Sequence, residues 1–266
     1  IHCIDAYRLG GGVEPQASIS HHPNIEVHAL QSAAGFLSPL ITHQLAVPGL
    51  KRHAIARILA ENVFDVIHFH NISLVGGPGI LAYGKAVKLY TAHEYWLVCP
   101  LSTLWKFQRE PCTGKRCAAC TLDAGKPPQW WRYTKWLERN LRHLDALISP
   151  SRFLIQKHHE MGLAADFTHI PNFLPDVSKQ PTDSNPMSSP TTAREGGRPF
   201  FLMVGRLEKS KGFQRVIQVF QHFTGADLVI VGTGQFEQEL RAMATGLDHI
   251  RFLGLMNYET LIEFYR

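Results

Sequence analysis

Apolar positions in this chain recur with two periods that take turns. Residues 24–30 (Asn24-Ile25-Glu26-Val27-His28-Ala29-Leu30) alternate with period two, the pattern of a half-buried strand. From about Leu50 to Asn62 the spacing lengthens, and Ile55, Ile58 and Leu59 fall on one helical face. Short apolar runs follow at 64–70, 86–91, 146–149 and 167–170, each strand-like. Residues 130–144 read as a helix that turns Trp131, Leu137, Leu141 and Leu144 toward a sheet. Strands separated by helices pair in parallel, so the pattern predicts an α/β fold.

Residues 176–199 break this rhythm. They hold Pro181, Pro186, Pro190, many Ser and Thr, and Gly196-Gly197, with almost nothing to bury, and they read as a linker. The pattern then restarts, with strands at 200–204, 228–231 and 250–253 and helices near 214–223 and 236–244. The predicted organisation is a first domain over 1–175, the linker, and the beginning of a second domain over 200–266. That second domain is expected to be incomplete, because a doubly wound half usually carries roughly five or six strands. The chain opens at Ile1, so truncation is expected at both ends.

Composition narrows the class. Hydrophobic residues make up 45% of 266, enough to pack a core, which excludes a wholly disordered chain. No apolar run approaches the roughly 18–20 residues that span a bilayer. The net charge of +5, from 27 Lys and Arg against 22 acids, suits small anionic substrates, an anionic membrane or nucleic acid. Nucleic-acid motifs are absent from the sequence, so that partner is not expected.

The strongest candidate chemistry is Val204-Gly205-Arg206-Leu207-Glu208-Lys209-Ser210-Lys211-Gly212. A strand runs into a glycine that admits close approach, then into cations that grip phosphate oxygens, then into a helix. Val231-Gly232-Thr233-Gly234 repeats the strand-to-glycine turn, but Glu237 stands where a dinucleotide fingerprint needs a small residue, which disfavours nicotinamide. His68 and His70 share one side of a strand and His93 ends a neighbour, so a His-ligated zinc hydrolase is a rival reading. Cys99, Cys112, Cys117 and Cys120 fall within an insertion over 99–128, with knuckle spacing between the last two; either a structural zinc or four reduced thiols fits. The Trp, Tyr, Lys and Arg mixture from Trp130 onward also has the composition of an interfacial helix, which leaves a peripheral membrane contact open.

The order of these segments resembles family-4 glycosyltransferases. The resemblance rests on Val204-Gly205-Arg206-Leu207 with Lys211-Gly212, on Val231-Gly232-Thr233-Gly234, and on Phe252-Leu253-Gly254 with the helix through Leu261 and Tyr265. In the first domain Asp65-Val66-Ile67-His68-Phe69-His70, Thr91-Ala92-His93-Glu94, Ser149-Pro150-Ser151 and Ile170-Pro171-Asn172 match its segments. The resemblance implies a GT-B fold, two Rossmann-like domains facing a cleft, the first on the acceptor side. It implies transfer of a hexose from a nucleotide-diphosphate sugar to a hydroxyl acceptor with retention, with no cofactor required. Acceptors would be sugars, lipid-linked molecules or other hydroxyls. The setting would be cytoplasmic, or peripheral to the inner face of the membrane. Arg206 and Lys211, beside Gly205, would hold the donor diphosphate; Gly232 and Gly234 would lie near the nucleoside; His93 would sit near the transferred sugar or acceptor, and Asn172 near the domain crossing.

Two departures temper this. The family's first strand and glycine-rich loop have no counterpart here, since no helix pattern follows Gly10-Gly11-Gly12. Its pair of donor-binding glutamates would lie beyond Arg266. The piece is therefore expected to be inactive alone, and a non-catalytic nucleotide- or sugar-binding module is the alternative.

Overall fold

A computed structural model of the chain describes residues 1–3, 23–32, 34–35, 37–107, 109–114, 116–173 and 198–265. The glycine run at 10–12 and the linker as far as residue 197 lie outside them. The chain divides into two compact units, Ile1–Pro175 and Asp176–Arg266.

The first unit begins with a two-residue parallel pair, β1 (His2–Cys3) and β2 (Ala29–Leu30). The alternation over 24–30 predicts a longer strand; the ladder covers Ala29 and Leu30, and residues 25–27 are exposed. Helix α1 (Leu37–Leu45) follows, then a 3-10 turn, then α2 (Arg52–Glu61), which buries Ile55 and Ile58. Strands β3 (Val66–Phe69) and β4 (Val87–Thr91) flank a buried 3-10 turn over Pro78–Ala82.

The cysteine-rich insertion then folds as a hairpin, β5 (Trp105–Lys106) with β6 (Glu110–Pro111), and a short helix α3 (Cys117–Asp123). The helix expected over 130–144 is two pieces, a 3-10 turn at Trp130–Tyr133 and α4 (Trp136–Leu141). Thr134 divides them: its backbone is extended (φ −112°, ψ 175°). Its hydroxyl donates back to the Trp131 carbonyl at 2.7 Å and accepts the Trp136 N–H at 3.1 Å. A short polar side chain of this kind competes with continuous helix by satisfying the backbone locally. Trp131 and Leu137 still pack on the core as the apolar pattern requires.

β7 (Ala146–Ser149), α5 (Arg152–Glu160) and β8 (Phe167–His169) complete this unit. Four parallel strands form one sheet in the order β3-β4-β7-β8. The Ser151 hydroxyl caps α5 by accepting the Leu154 N–H at 3.3 Å. Ser149, fully buried, accepts the Ser151 N–H at 3.3 Å and so fixes the strand-to-helix turn.

In the second unit β9 (Phe200–Val204), α6 (Phe213–Phe220), β10 (Asp227–Val231), α7 (Glu237–Met243), β11 (Ile250–Gly254) and α8 (Tyr258–Tyr265) alternate strictly. The sheet is parallel with β10 in the middle. Leu228, Val229, Ile230 and Val231 are accordingly buried on both faces. Phe213, Ile217 and Phe220, at helical spacing on α6, cover one face together with Leu207 and Leu240. Among the described residues no helix is long and apolar enough to cross a membrane.

Candidate functional site

Open parallel sheets bind ligands at the carboxyl ends of their strands, where loops and helix N-termini converge. In the second unit those loops are locked to one another by main-chain bonds. Gly205 N–H donates to Val231 O at 3.0 Å, Leu207 N–H to Thr233 O at 2.9 Å, and Gly232 N–H to Gly254 O at 2.7 Å. The packing is so close that a Cβ on Gly232 would come within 2.0 Å of Gly205 O, and one on Gly234 within 2.3 Å of Leu207 O. These two glycines therefore have a steric reason for being glycine that involves no ligand. Gly205 differs: a Cβ there would touch only the Phe213 ring at 3.7 Å, an ordinary contact, so the space beside it is open.

Arg206 and Lys211 follow from this loop. Both are exposed, and Arg206 is held by Glu208 in a 2.9 Å ion pair at the surface. Such exposed pairs are worth about 1 kcal/mol or less, so Arg206 is free to exchange its partner for a phosphate. Lys211 ends a 3-10 turn, and Gly212, with φ of 79°, turns the chain into α6. No side chain caps the start of α6. Its first N–H groups and the positive end of its dipole lie next to two cations, an arrangement that suits an anion.

At the corresponding ends of β3 and β4 the chemistry is carried by side chains. His68 Nε2 and Thr91 Oγ1 are 2.8 Å apart, and so are His70 Nδ1 and His93 Nε2. The His70 and His93 rings stack at 5.1 Å, and those of His68 and His70 lie 4.2 Å apart. Burial, with a further push from His68 and His93, holds the His70 pKa below the usual histidine value, which favours its neutral form. The hydrogen bond between the two rings places a proton between them that can pass to or from a bound hydroxyl. His68 and His70 also line a cavity of about 730 Å³ along the outer edge of β3. In the sequence His70 stands out only as a metal-ligand candidate and Thr91 not as a site residue; the signal for both is that each sits within two residues of the end of neighbouring parallel strands. Asn172 is exposed in the coil after β8.

Both metal readings are corrected. Among the described residues no group of three or more His, Cys, Asp or Glu side chains is arranged to hold a metal ion. His68 spends one ring nitrogen on Thr91, His70 and His93 spend one each on the other, and the three make no metal-holding group. Cys99, Cys112, Cys117 and Cys120 do line one small cavity of about 20 Å³, but as free thiols. Cys112 donates to Gly114 O at 3.4 Å, and Cys120 accepts the Phe107 N–H at 3.3 Å. Burial, reinforced by the other three sulfurs, raises the Cys117 thiol above its usual value, against the thiolate that zinc needs.

Comparison with known proteins covers nearly the whole chain. The glycosyltransferase family 4 model matches residues 13–176, and the model for group 1 glycosyl transferases matches 187–266. A GDP-mannose-dependent monoacylated alpha-(1-6)-phosphatidylinositol monomannoside mannosyltransferase of Corynebacterium glutamicum is 29% identical over 130 residues, 45% of this chain and 34% of that protein. Among solved structures, HepE of Anabaena in complex with UDP aligns with a TM-score of 0.51 at 16% identity, over 89% of this chain and 57% of that one. An apo structure of OtsA aligns at 0.50 and 12% identity, over 80% and 53%. The two structures carry the fold, and the chain spans less than two thirds of each of these proteins.

Proposed function

Because the chain belongs to glycosyltransferase family 4, we propose that it is part of an enzyme that transfers a hexose from a nucleotide-diphosphate sugar to a hydroxyl acceptor, with retention of configuration. The observation that carries this reading is the loop after β9: open space at Gly205, exposed Arg206 and Lys211, and the uncapped start of α6. Bond cleavage at the anomeric carbon leaves a diphosphate whose negative charge grows in the transition state. Cations and N–H groups already in place stabilise that charge without reorganising. In this reading Arg206 and Lys211 hold the diphosphate, Gly205 admits it, Gly232 and Gly234 shape the loop near the nucleoside, and Asn172 lies near the domain crossing. His93, with the proton it shares with His70, orients the transferred sugar or the acceptor hydroxyl. A retaining reaction then delivers the acceptor to the face the leaving group vacates, with the departing phosphate oxygen taking the hydroxyl proton.

The Corynebacterium relative is named for GDP-mannose and the Anabaena structure contains UDP, so both bases belong in the test. Calorimetric titration of UDP and GDP and their sugars is expected to show binding by one series. Arg206→Ala or Lys211→Ala should weaken it about 10- to 100-fold, the range for hydrogen bonds to a charged partner, with an unchanged melting temperature. Affinity unaltered in both variants would overturn the assignment. Proton NMR of the anomeric centre in the product tests retention, and tight binding without any turnover by the complete protein would favour a binding module instead.

A further inference from the structure

The positive charge of this protein is concentrated in one place. Residues 99–135 contain seven Lys or Arg against Glu110 and Asp123, a net charge of +5, which equals that of the whole chain; everywhere else 20 cations meet 20 acids. Within this insertion Arg109, Arg116, Lys126 and Lys135 are exposed, and among the described residues none is paired with a carboxylate; Lys106 pairs with Glu110 at 3.0 Å.

The same segment exposes large apolar side chains. Trp130 is 63% exposed, Leu122 62% and Tyr133 58%. The Trp130 and Tyr133 rings lie together, 6.1 Å apart, and Tyr133 Oη accepts the Ala118 N–H at 3.0 Å, which ties them to α3, the helix that carries Leu122. The two middle residues of the turn anchor it. Trp131 Nε1 donates to His43 O at 3.0 Å; Arg132 donates to the Trp96 and Leu97 carbonyls and lies against the Trp96 and Trp131 rings. The turn is thus fixed from below, and Trp130 and Tyr133 are presented to solvent on a rigid base. Exposed apolar groups rimmed by cations mark an interaction site.

We propose that this insertion docks the protein on an anionic lipid surface, with Trp130, Tyr133 and Leu122 entering the headgroup layer and Arg116, Lys126 and Lys135 facing lipid phosphates. Amphipathic aromatics settle at that depth. Leu122 distinguishes lipid from nucleic acid, since it offers no π-face to a base yet embeds readily among acyl chains. The proposal is independent of the transferase reading and is tested without any substrate.

Flotation of the purified chain with vesicles of phosphatidylcholine, with and without phosphatidylglycerol, is the experiment. Binding is expected only with phosphatidylglycerol. Arg116→Gln and Lys126→Gln should each weaken it roughly fivefold, the effect of one cation near an anionic leaflet. Trp130→Ser and Leu122→Ser should weaken it at least as much, while Arg57→Gln with Lys85→Gln, exposed cations elsewhere in the same unit, should leave it unchanged. Circular dichroism melts check that each variant folds. Equal binding to both vesicle types, no binding to either, or equal losses in the patch and control variants would each overturn the proposal. So would displacement from vesicles by polyuridylate combined with indifference to Leu122→Ser, which would indicate a nucleic-acid site.

Discussion

The strand ends of the two units are built from opposite materials. In the second unit the loops after β9 and β10 are joined by main-chain hydrogen bonds, and Gly232 and Gly234 are set by backbone crowding. In the first, the ends of β3 and β4 are joined by side chains, His68 to Thr91 and His70 to His93. The difference teaches where substitutions act. The backbone-packed loop tolerates no added atom at Gly232 or Gly234 but leaves its cations exposed, whereas a side-chain network tolerates replacement at small cost and ties its chemistry to its protonation state.

The sharpest way to break this comparison is Gly234→Ala. Its Cβ would sit 2.3 Å from Leu207 O, and neither loop can yield without breaking the bonds between them. The second unit is expected to lose about 3 kcal/mol or more of stability, against about 1 kcal/mol for Gly246→Ala, where φ is 79° but the space is open. Equal losses in the two melts would show that crowding between loops is not what fixes Gly234.

Acid comes next. His43, His70 and His158, all in the first unit, have pKa values below the ordinary 6.5, with burial the main cause in each. The folded state therefore binds fewer protons than the unfolded chain just below pH 6.5, and stability falls as the pH drops through that value. His158 is the strongest case. It is fully buried between Tyr95 and Phe167, bonded through Nδ1 to Leu154 O, with Nε2 lacking a partner among the described residues. Urea midpoints measured from pH 7 to 5 should decline, and more gently in His158→Phe. The same slope in both proteins would remove His158 from the account.

The smallest effect is expected from Thr91→Val, which deletes the partner of His68 while keeping the shape of the side chain. Stability should change by about 1 kcal/mol or less. The His68 ring should nevertheless lose its fixed tautomer in nitrogen NMR, and an unchanged tautomer would show that Thr91 does not set it.

Much of this architecture was legible along the chain. The strands at 64–70, 86–91, 146–149 and 200–204 lie close to the observed β3, β4, β7 and β9, because each is a short run rich in β-branched, aromatic and other apolar residues bounded by polar or turn-forming ones. The helix over 130–144 was misread because the apolar period continues across Thr134, and periodicity does not register a hydroxyl that ends one turn and begins the next. The zinc reading failed for a related reason. Spacing brought four cysteines to one cavity, but whether the sulfurs become ligands depends on their hydrogen bonds and burial, which spacing does not encode.

Taken by itself, the sequence determined which segments must be buried, where the chain changes from one α/β unit to the next, and the order of motifs that belongs to glycosyltransferase family 4. These follow from local periodicity and from residue types at fixed offsets, and both survive in one dimension. Only the tertiary structure decided why Gly232 and Gly234 are glycines, that His70 pairs with His93 and His68 with Thr91, and that Trp130 and Tyr133 stand together, exposed, on an anchored turn. Each of those depends on atoms brought together from distant positions at distances of 2–6 Å, and contact at that range is created by folding alone.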